Sequence, residues 1–376
     1  MIKPLRCKTG LSNLDLETQH VAPTTGFRGT IIESVVQLER MISDWEELIE
    51  SSIRKNPYFD PDFLIPALKH LNDVDASVLV IDAPAKNGTR VLCALMPIVK
   101  KRVYGMPVRS YEIWKHDQCI DATPLIRKEV AAEVIDFVFQ YMEEEMKAKL
   151  FSFDTVSNEG EFGRLLSENI RHNKRNLFNH FTFDQASGSN NVPAQSNPHQ
   201  PERQLSDLGE LETEVLSSTD QIDKWTDQFL KLEASSASSE DVGPSLVSRG
   251  AHRKFFREMA LRSLVKGKLS MIKVNFIGQP IGIFCNFHQG SEGIHFKTCF
   301  DRSYSPKLIA ELEKIYQLHA SSLSQCPPED DSHKGNDQVS SGRTKYQSVV
   351  VALKGRVARW ATSALPLLKM ASQKAN

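Results

Sequence analysis

KLSMIKVNFI, residues 268–277, begins the most informative stretch of this chain. It is followed by GQ (278–279), PIGIFCNF (280–287), GIHFKTCFD (293–301), RSYSPK (302–307) and LIAELEKIY (308–316). The three runs before residue 302 are rich in β-branched and aromatic residues and are separated by turns at Gly278 and Gly290, which predicts an antiparallel meander. Ser305 and Pro306 then fit the N-cap and first-turn positions of a helix. Because the free N–H groups and the positive dipole end of such a helix face the preceding loop, we expect an anion site there.

The composition limits the class of protein. With 376 residues, 40% of them hydrophobic, the chain is long enough for about two domains with buried cores. A net charge of −1 gives no overall attraction to nucleic acid, so we expect no such partner. The six cysteines form no C-x-x-C pair, and the N-terminus lacks the apolar region of a signal peptide. We therefore expect reduced thiols and a cytoplasmic protein without a membrane span.

Outside the meander, strand and helix patterns alternate along both halves of the chain. We predict the boundaries of these elements from the spacing of their apolar residues and from the turn residues that flank them. The first half predicts strands at 30–38, 77–81, 91–99, 103–114 and 150–155, and helices at 43–49, 59–64, 128–149 and 161–170. The second half predicts a strand at 213–216 and helices at 220–232 and 251–266, the latter ending at Gly267.

Shifts in composition divide the chain into segments. The predicted division is a flexible N-terminal arm (1–28), an N-terminal lobe (29–183), a linker rich in Ser, Asn, Gln and Pro (184–210), a C-terminal lobe (211–340) and a C-terminal helix (341–376). The two lobes share a coarse order of strand, helices, antiparallel strands, helix and strand. This order predicts an α+β fold with two tandem lobes, each a mostly antiparallel mixed sheet flanked by helices.

The C-terminal segment is basic, since no acidic residue follows Gln338. Its apolar residues match a helical stripe, which predicts a basic amphipathic helix that makes peripheral contact with an anionic membrane. The alternative is a terminal helix docked on its own protein. The stripe consists of Val349, Val350, Leu353, Val357, Trp360 and Ala364.

Short motifs recur in a fixed order along the second half of the chain. They are Leu230-x-Leu232-Glu233-Ala234, Phe255-Phe256, Ile277-Gly278-Gln279-Pro280-Ile281-Gly282, Phe296-Lys297, Phe300-Asp301 and Tyr304-Ser305-Pro306. This ordered set resembles the GNAT-type acetyltransferases of the cellulose-biosynthesis CelD class, relatives of the FemAB-like double-GNAT proteins. The resemblance covers roughly residues 30–365, and its motifs are specific as a set rather than singly.

The resemblance implies two tandem GNAT folds and an acyltransferase that uses acetyl-CoA or another acyl-CoA as co-substrate, without a metal. The acceptor would be an amine or hydroxyl of a small molecule or saccharide, often a sugar, polysaccharide or cell-envelope precursor. The implied acyl-CoA-binding residues are Phe300, Asp301, Arg302, Ser303, Ser305, Pro306 and Lys307.

Two departures from the family pattern leave a second function class open. A Ser-rich loop at 235–244 replaces the Trp-Lys-Gly element of the family, and Lys307 stands where the family carries glycine. These departures favour a catalytically degenerate GNAT-like scaffold as the alternative. A third class, a peripheral membrane interaction protein, would use the basic C-terminal segment.

Three residues are candidates for acid–base catalysis, each with a plain structural alternative. Glu233, at the end of a predicted helix, fits a general base or a helix residue in water. His295 shares a predicted strand face with Lys297 and Cys299, and fits a base or an ordinary structural histidine. Tyr304 fits a proton donor to the departing thiolate or a tyrosine packed on a strand end.

Other polar residues carry weaker functional predictions. Lys307 fits a phosphate contact or a solvated surface charge, and Asp301 is expected to pin the following turn rather than orient an amine. We expect Cys285 and Cys299 to be buried small hydrophobes. The stretch 114–119 either lines an acceptor cleft or is a simple strand exit. A cluster of possible metal ligands whose spacing matches no established site consists of Cys326, Asp330, Asp331 and His333.

Overall fold

Two β-sheets with flanking helices make up the part of the chain that the computed structural model describes, which is residues 26–85, 88–102, 108–157, 160–185, 211–236, 245–289, 292–301, 312 and 344–353. In chain order the elements are β1 (Arg28–Ile32), α1 (Val35–Glu39), α2 (Ile42–Ser51), α3 (Pro61–His70), β2 (Ser77–Pro84), β3 (Arg90–Lys101), β4 (Ser110–Ile113), β5 (Leu125–Ile126), α4 (Ala131–Glu144), β6 (Leu150–Ser157), α5 (Glu161–His172), β7 (Asn176–Gln185), β8 (Leu211–Val215), α6 (Ile222–Ser236), α7 (Gly250–Val265), β9 (Leu269–Phe276), β10 (Gln279–Gln289), β11 (Glu292–Phe300) and β12 (Thr344–Ala352).

The strand orders confirm the predicted α+β class with two lobes. The sheet of the N-terminal lobe has the order β1-β2-β3-β4-β6-β12-β7, with β5 paired to β3, and only its β4–β6 pair is parallel. The sheet of the C-terminal lobe has the order β11-β10-β9-β8 and is antiparallel throughout. The predicted meander is therefore the framework of the second sheet.

The C-terminal segment differs from its prediction. The helix expected over 341–376 is wrong for Thr344–Ala352, which forms β12 between β6 and β7 in the sheet of the N-terminal lobe. Val349, Val351 and Leu353 are buried whereas the residues between them are less so, which is the two-residue period of a strand. The β-branched run at 349–351 favours this conformation over a helix. Residues 354–376 lie outside the described part.

Smaller differences occur at the other boundaries. The strand predicted at 30–38 ends at Ile32, and the rest of that stretch forms α1, where Leu38 is buried and Val36 is exposed. The arm predicted over 1–28 includes Arg28, the first residue of β1. The linker predicted over 184–210 begins while β7 still continues to Gln185. Residues 1–25 and 186–210 are outside the described residues.

Helices α3 and α7 join the two lobes through a row of ion pairs. Asp62 is buried at the start of α3, and its carboxylate forms an ion pair with Lys266 at 3.1 Å, while Lys268 and Arg262 both lie at 3.6 Å. Asp60 accepts from Lys268 at 2.7 Å. The acidic first turn of α3 thus lies against the basic end of α7, which also suits the dipoles of both helices.

Replacing Asp62 by asparagine should weaken the contact between the lobes. The substitution keeps the shape of the side chain but removes the charge that three cations approach, and we expect a loss of about 1–3 kcal/mol in the free energy of unfolding. Urea unfolding at neutral pH measures it. Glu50→Gln is the matched control, because its pair with Lys55 is exposed and should contribute under about 1 kcal/mol. Equal losses in both variants would contradict the prediction.

Candidate functional site

The strand that leads into the predicted anion-binding turn is held firmly at its end. The backbone N–H of Asp301 donates to the carbonyl of Ile281 at 2.8 Å. The Phe300 ring packs edge-on against Phe284, with 5.4 Å between ring centroids, and closes over Gly282. A Cβ at position 282 would come within 2.9 Å of that ring, so this glycine is required for the close approach. Phe300 and Asp301 therefore fix the direction in which the chain leaves the sheet.

The predicted turn itself is beyond this point. Arg302, Ser303, Tyr304, Ser305, Pro306 and Lys307 lie outside the described residues. Leu312 is described, is helical, and is buried against β9 and β10 beside Ile272, Val274 and Phe284. The roles of the turn residues as acyl-CoA ligands and of Tyr304 as a proton donor stay predictions.

Glu233 lies at a junction of three chain segments. Its carboxylate accepts from the backbone N–H groups of Leu246 and Val247 at 2.9 and 3.0 Å, from the Ser245 hydroxyl at 3.3 Å, and from the Lys297 ammonium. The side chain is buried, so the predicted alternative of a helix residue in water is wrong.

A carboxylate has about four acceptor sites, and these four donors occupy them. Glu233 therefore ties the end of α6 to residues 245–247 and to β11 through Lys297. These contacts give Glu233 a structural role, which is to hold the three segments together. Its role as a general base stays a prediction that would need one of the donors to leave.

The predicted strand face of His295, Lys297 and Cys299 is interrupted. Asn286 of β10 faces His295, whereas the preceding Cys285 faces Lys297, so Phe296 is an extra residue in β11. Such a bulge breaks the simple alternation on which the prediction rested. Lys297 and Cys299 remain in regular alternation, and the backbone of His295 pairs within the sheet. Its role as a base stays a prediction.

The bulge residue belongs to an aromatic cluster between the lobes. Phe63 of α3 is at the centre, with ring centroids 5.3 Å from Phe287, 5.6 Å from Phe296 and 5.6 Å from Phe255. The imidazole of His116 stacks on Phe63 at 5.7 Å. Strands β10 and β11, helices α3 and α7, and the segment after β4 therefore meet at one apolar centre.

Two buried histidines lie at this centre, and one of them was not a predicted site residue. His116 belongs to the stretch 114–119, for which an acceptor cleft was one of two predictions, and its ring is 5.3 Å from Phe255. His252, one helical turn before Phe255 on α7, contacts Asp117 through Nε2 at 3.1 Å. Sequence reasoning missed His252, because no local pattern joins it to Asp117, which lies 135 positions away.

Burial changes the titration of His116. The loss of solvation, together with the nearby charge of His252, lowers its pKa from 6.5 to about 3. The ring is therefore neutral at physiological pH. Between pH 3 and 6.5, His116 is protonated in the unfolded chain but not in the folded chain. The free energy of unfolding therefore falls as the pH is lowered through this range.

We expect this histidine to destabilise the protein in mild acid. Going from pH 7 to pH 5 should cost about 2 kcal/mol of unfolding free energy through His116 alone. His116→Asn, which cannot titrate but can still accept a hydrogen bond at the same position, should remove that part of the pH dependence. Urea unfolding of both proteins at the two pH values measures the difference. Identical pH dependence would show that His116 is protonated in the folded state.

The cysteines agree with their predicted role. Cys285 and Cys299 are buried and form no disulfide, and burial raises the pKa of the Cys285 thiol. Among the described residues, no group of three or more His, Cys, Asp or Glu side chains could hold a metal ion. The residues 326–333 lie outside that part of the chain.

Comparison with known proteins identifies one segment. Residues 196–324, which include β8 to β11 and helices α6 and α7, match the family model described as acetyltransferase (GNAT) domain. This match supports the predicted assignment as an acyltransferase, while the narrower CelD class stays a prediction. A comparison with curated proteins found no match.

Several solved structures resemble the chain at low sequence identity. A tandem GNAT protein from the clavulanic acid biosynthesis pathway is 10% identical with a TM-score of 0.39, covering 87% of this chain and 99% of its own. FemX is 8% identical with a TM-score of 0.45, covering 83% and 96%. The C-terminal domain (DUF2156) of a putative lysylphosphatidylglycerol synthetase from Agrobacterium fabrum is 10% identical with a TM-score of 0.42, covering 89% and 98%. At these values the likenesses carry no argument about substrate.

Proposed function

We propose that the chain is an acyl-CoA-dependent N- or O-acyltransferase that modifies a sugar, polysaccharide or cell-envelope precursor. The observation that carries the proposal is the match of residues 196–324 to the acetyltransferase (GNAT) domain. The acyl group would pass directly from acyl-CoA to the acceptor in a ternary complex. Acetyl-CoA is the first donor to test, because the matched domain is named for acetyl transfer.

The end of β11 supports a donor site at 300–307. Hydrogen bonding of Asp301 to β10 and packing of Phe300 fix the start of this segment. Leu312, which follows the segment, is helical and buried in one cluster with Ile272 and Phe284 of the same sheet. We propose that Arg302, Ser303, Ser305, Pro306 and Lys307 then hold the pyrophosphate at the start of that helix.

The proposed reaction has balanced steps. The acceptor nitrogen or oxygen forms a bond to the thioester carbonyl carbon, the carbon–sulfur bond breaks, and the coenzyme leaves as a thiolate. Tyr304 is the proposed proton donor to that thiolate, and His295 or Glu233 the proposed base. Backbone N–H groups of a strand would polarise the carbonyl oxygen.

The acceptor and the location are further parts of the proposal. The saccharide or envelope acceptor rests on the CelD resemblance of the sequence. We propose a cytoplasmic protein whose residues after Leu353 contact an anionic membrane surface. In the described residues, no helix has the length and apolar character to cross a bilayer.

Binding of acyl-CoA is the first test. Calorimetry with full-length protein should show micromolar binding of acetyl-CoA, and none of pantetheine, which lacks the nucleotide pyrophosphate. Lys307→Glu should weaken binding at least about tenfold, because it places a like charge beside the phosphates. Lys231→Glu, an equivalent change on the exposed face of α6, should leave binding unchanged.

The same measurement separates the proposal from the degenerate scaffold. The Ser-rich loop 235–244, in place of the family's Trp-Lys-Gly element, is the observation that favours the scaffold. Absence of binding by any acyl-CoA would overturn the donor site and support the scaffold. Binding that Lys307→Glu and Lys231→Glu affect equally would overturn the assignment to residues 302–307.

A further inference from the structure

Two buried histidines between the lobes each leave one ring nitrogen without a hydrogen-bond partner. The side chains of His116 and His252 are almost fully buried, and the atoms concerned are Nε2 of His116 and Nδ1 of His252. Leaving such an atom unpaired in a protein interior costs about 1–3 kcal/mol. Two of them at one place therefore need an explanation, and a ligand that pairs with both would supply it.

The other nitrogen of each ring determines where the protons are. The backbone N–H of Gln118 donates to Nδ1 of His116 at 3.2 Å, so Nδ1 carries no proton and the neutral ring carries it on Nε2. The carboxylate of Asp117 accepts from Nε2 of His252 at 3.1 Å, so Nδ1 of the neutral ring has a free lone pair. One histidine thus offers an unused donor, and the other offers an unused acceptor.

The two rings are neighbours. The His116 ring is 5.3 Å from Phe255, which follows His252 by one turn of α7, and His252 contacts Asp117, the residue directly after His116. Asp117 is half exposed, so the far side of the His252 ring is connected to solvent through its carboxylate.

The pair is also linked by side-chain packing to β11, the strand that precedes the proposed donor segment in the sequence. Phe63 stacks on His116 and packs on Phe296 of β11, the strand that leads to residues 302–307. The Phe296 ring lies parallel to Phe256 of α7 at 6.3 Å. The histidines and the strand that precedes the donor site are therefore joined through one layer of aromatic side chains.

We propose that His252 and His116 bind and activate an alcohol hydroxyl, which makes the protein an O-acyltransferase. This inference rests on the proposed acyl-CoA function and goes further by naming the acceptor class and by making His252 the base in place of His295 or Glu233. The hydroxyl hydrogen would donate to Nδ1 of His252, and the hydroxyl oxygen would accept from Nε2–H of His116. Asp117 is a positioning residue, because it holds the His252 ring in the tautomer with a free Nδ1.

The number of lone pairs distinguishes a hydroxyl from an amine. A hydroxyl oxygen has two lone pairs, so it can accept from His116 with one and attack the thioester with the other. A neutral amine has a single lone pair, and using it to accept from His116 would prevent attack. The unpaired donor and acceptor together therefore suit an alcohol.

In the reaction, the oxygen–acyl bond forms while the carbon–sulfur bond breaks. The hydroxyl proton moves to Nδ1 of His252, and the coenzyme leaves as a thiolate. The proton then passes from His252 to the thiolate or to water, which restores the free lone pair. No oxidant, reductant or metal is needed, so atoms and charge balance with the two substrates alone.

Release of the coenzyme thiol from acetyl-CoA tests the proposal with defined acceptors. Full-length protein is assayed with water alone, glycerol and N-acetylglucosamine, which offer hydroxyl groups, and with 3-amino-1,2-propanediol and glucosamine, which also offer an amine. Products are treated with hydroxylamine, which cleaves esters but not amides. We expect thiol release with the hydroxyl acceptors and hydroxylamine-labile products from all acceptors that react.

Variants assign the residues. His252→Gln should lower the rate at least about 100-fold while acetyl-CoA binding by calorimetry stays unchanged. Asp117→Asn, at a half-exposed position that folding tolerates, should lower kcat at least about tenfold with little change in KM, and Asp117→Glu should restore part of it. His70→Gln is the control, because His70 also lies between the lobes but pairs with Glu258.

Several outcomes would overturn the proposal. They are hydroxylamine-stable products, an unchanged rate in both the His252→Gln and Asp117→Asn proteins, and acetyl-CoA binding without thiol release for every acceptor including water. The last outcome would contradict the role of the two histidines but would still agree with the proposed acyl-CoA-binding segment. Failure to bind acetyl-CoA at all is a different result, since it removes the proposed acyl-CoA function itself.

Discussion

A chain that ends after Ser340 should fail to fold its N-terminal lobe. This truncation removes β12, which pairs with β6 on one side and with β7 on the other. An interior strand cannot be lost without leaving two open sheet edges with unpaired N–H and C=O groups. We therefore expect loss of cooperative unfolding and a tendency to aggregate.

The stability lost on removing β12 can be estimated from the side chains that this strand buries. Val349, Val351 and Leu353 are buried, and burial of each contributes about 1.5–3 kcal/mol. Ser348 also donates to Asp154 of β6, and with the Lys115 ammonium this donor offsets the effect of burial and lowers the pKa of Asp154. The sum of roughly 5–9 kcal/mol from the three apolar residues is comparable with the whole stability of an average protein of about 5–15 kcal/mol.

The control is a chain that ends after Leu353, which keeps β12 and both of its ladders. Circular dichroism and urea unfolding should show a folded protein for this chain and not for the one that ends after Ser340. Cooperative unfolding of both would contradict the role of β12. The chain that ends after Leu353 is also the suitable comparison for membrane contact in liposome co-sedimentation, since it lacks residues 354–376 but keeps the sheet.

Replacing Lys297 by methionine should destabilise the C-terminal lobe by about 3–5 kcal/mol. Lys297 and Glu233 are both largely buried, with 13% and 4% of their side chains exposed, and they form an ion pair. Methionine fills much of the same space but leaves the Glu233 carboxylate buried without its cation. Guanidinium unfolding of the variant measures the loss.

A double variant separates the cost of the unpaired charge from that of lost packing. Glu233→Gln combined with Lys297→Met removes both charges and keeps one carbonyl acceptor, for the N–H group of either Leu246 or Val247, which bond to different oxygens of the carboxylate. We expect it to regain part of the lost stability, because the unpaired buried charge is gone while one backbone N–H group loses its acceptor. A double variant as unstable as Lys297→Met would show that packing of the lysine stem, not charge, is decisive.

The same variants bear on catalysis. If Glu233 were the general base, Glu233→Gln would abolish acetyl transfer even in the stable double variant. If Glu233 only positions the segment 245–247, a folded double variant should retain transfer. The four donors around its carboxylate favour the second outcome.

Local patterns in the sequence were sufficient for much of the fold. The hairpin turn at Gly278, with its positive φ, and the three alternating runs around it predicted β9, β10 and β11. Helix α7 and its end before Gly267 followed from periodicity and from the need for a residue at positive φ there. These elements depend on residues only a few positions apart, so the sequence carries their signals directly.

Other features could not be predicted in this way. A run such as 349–353 contains apolar residues at both two-residue and four-residue spacing, so its own pattern does not choose between strand and helix. The strand conformation is favoured because the run can then pair with β6 on one side and with β7 on the other. The bulge at Phe296 likewise depends on the register between β11 and β10, and the sequence of β11 alone does not determine it.

The sequence by itself determined the α+β class, the antiparallel meander of the second lobe, the resemblance to GNAT acyltransferases and the burial of Cys285 and Cys299, because each depends on neighbouring residues or on composition. Only the tertiary structure decided that β12 completes the first sheet, that Glu233 is surrounded by donors, and that His252 meets Asp117 and His116. These contacts join residues far apart in the chain. Their energies come from burial and pairing that exist only after the chain has closed long loops, so no local pattern records them.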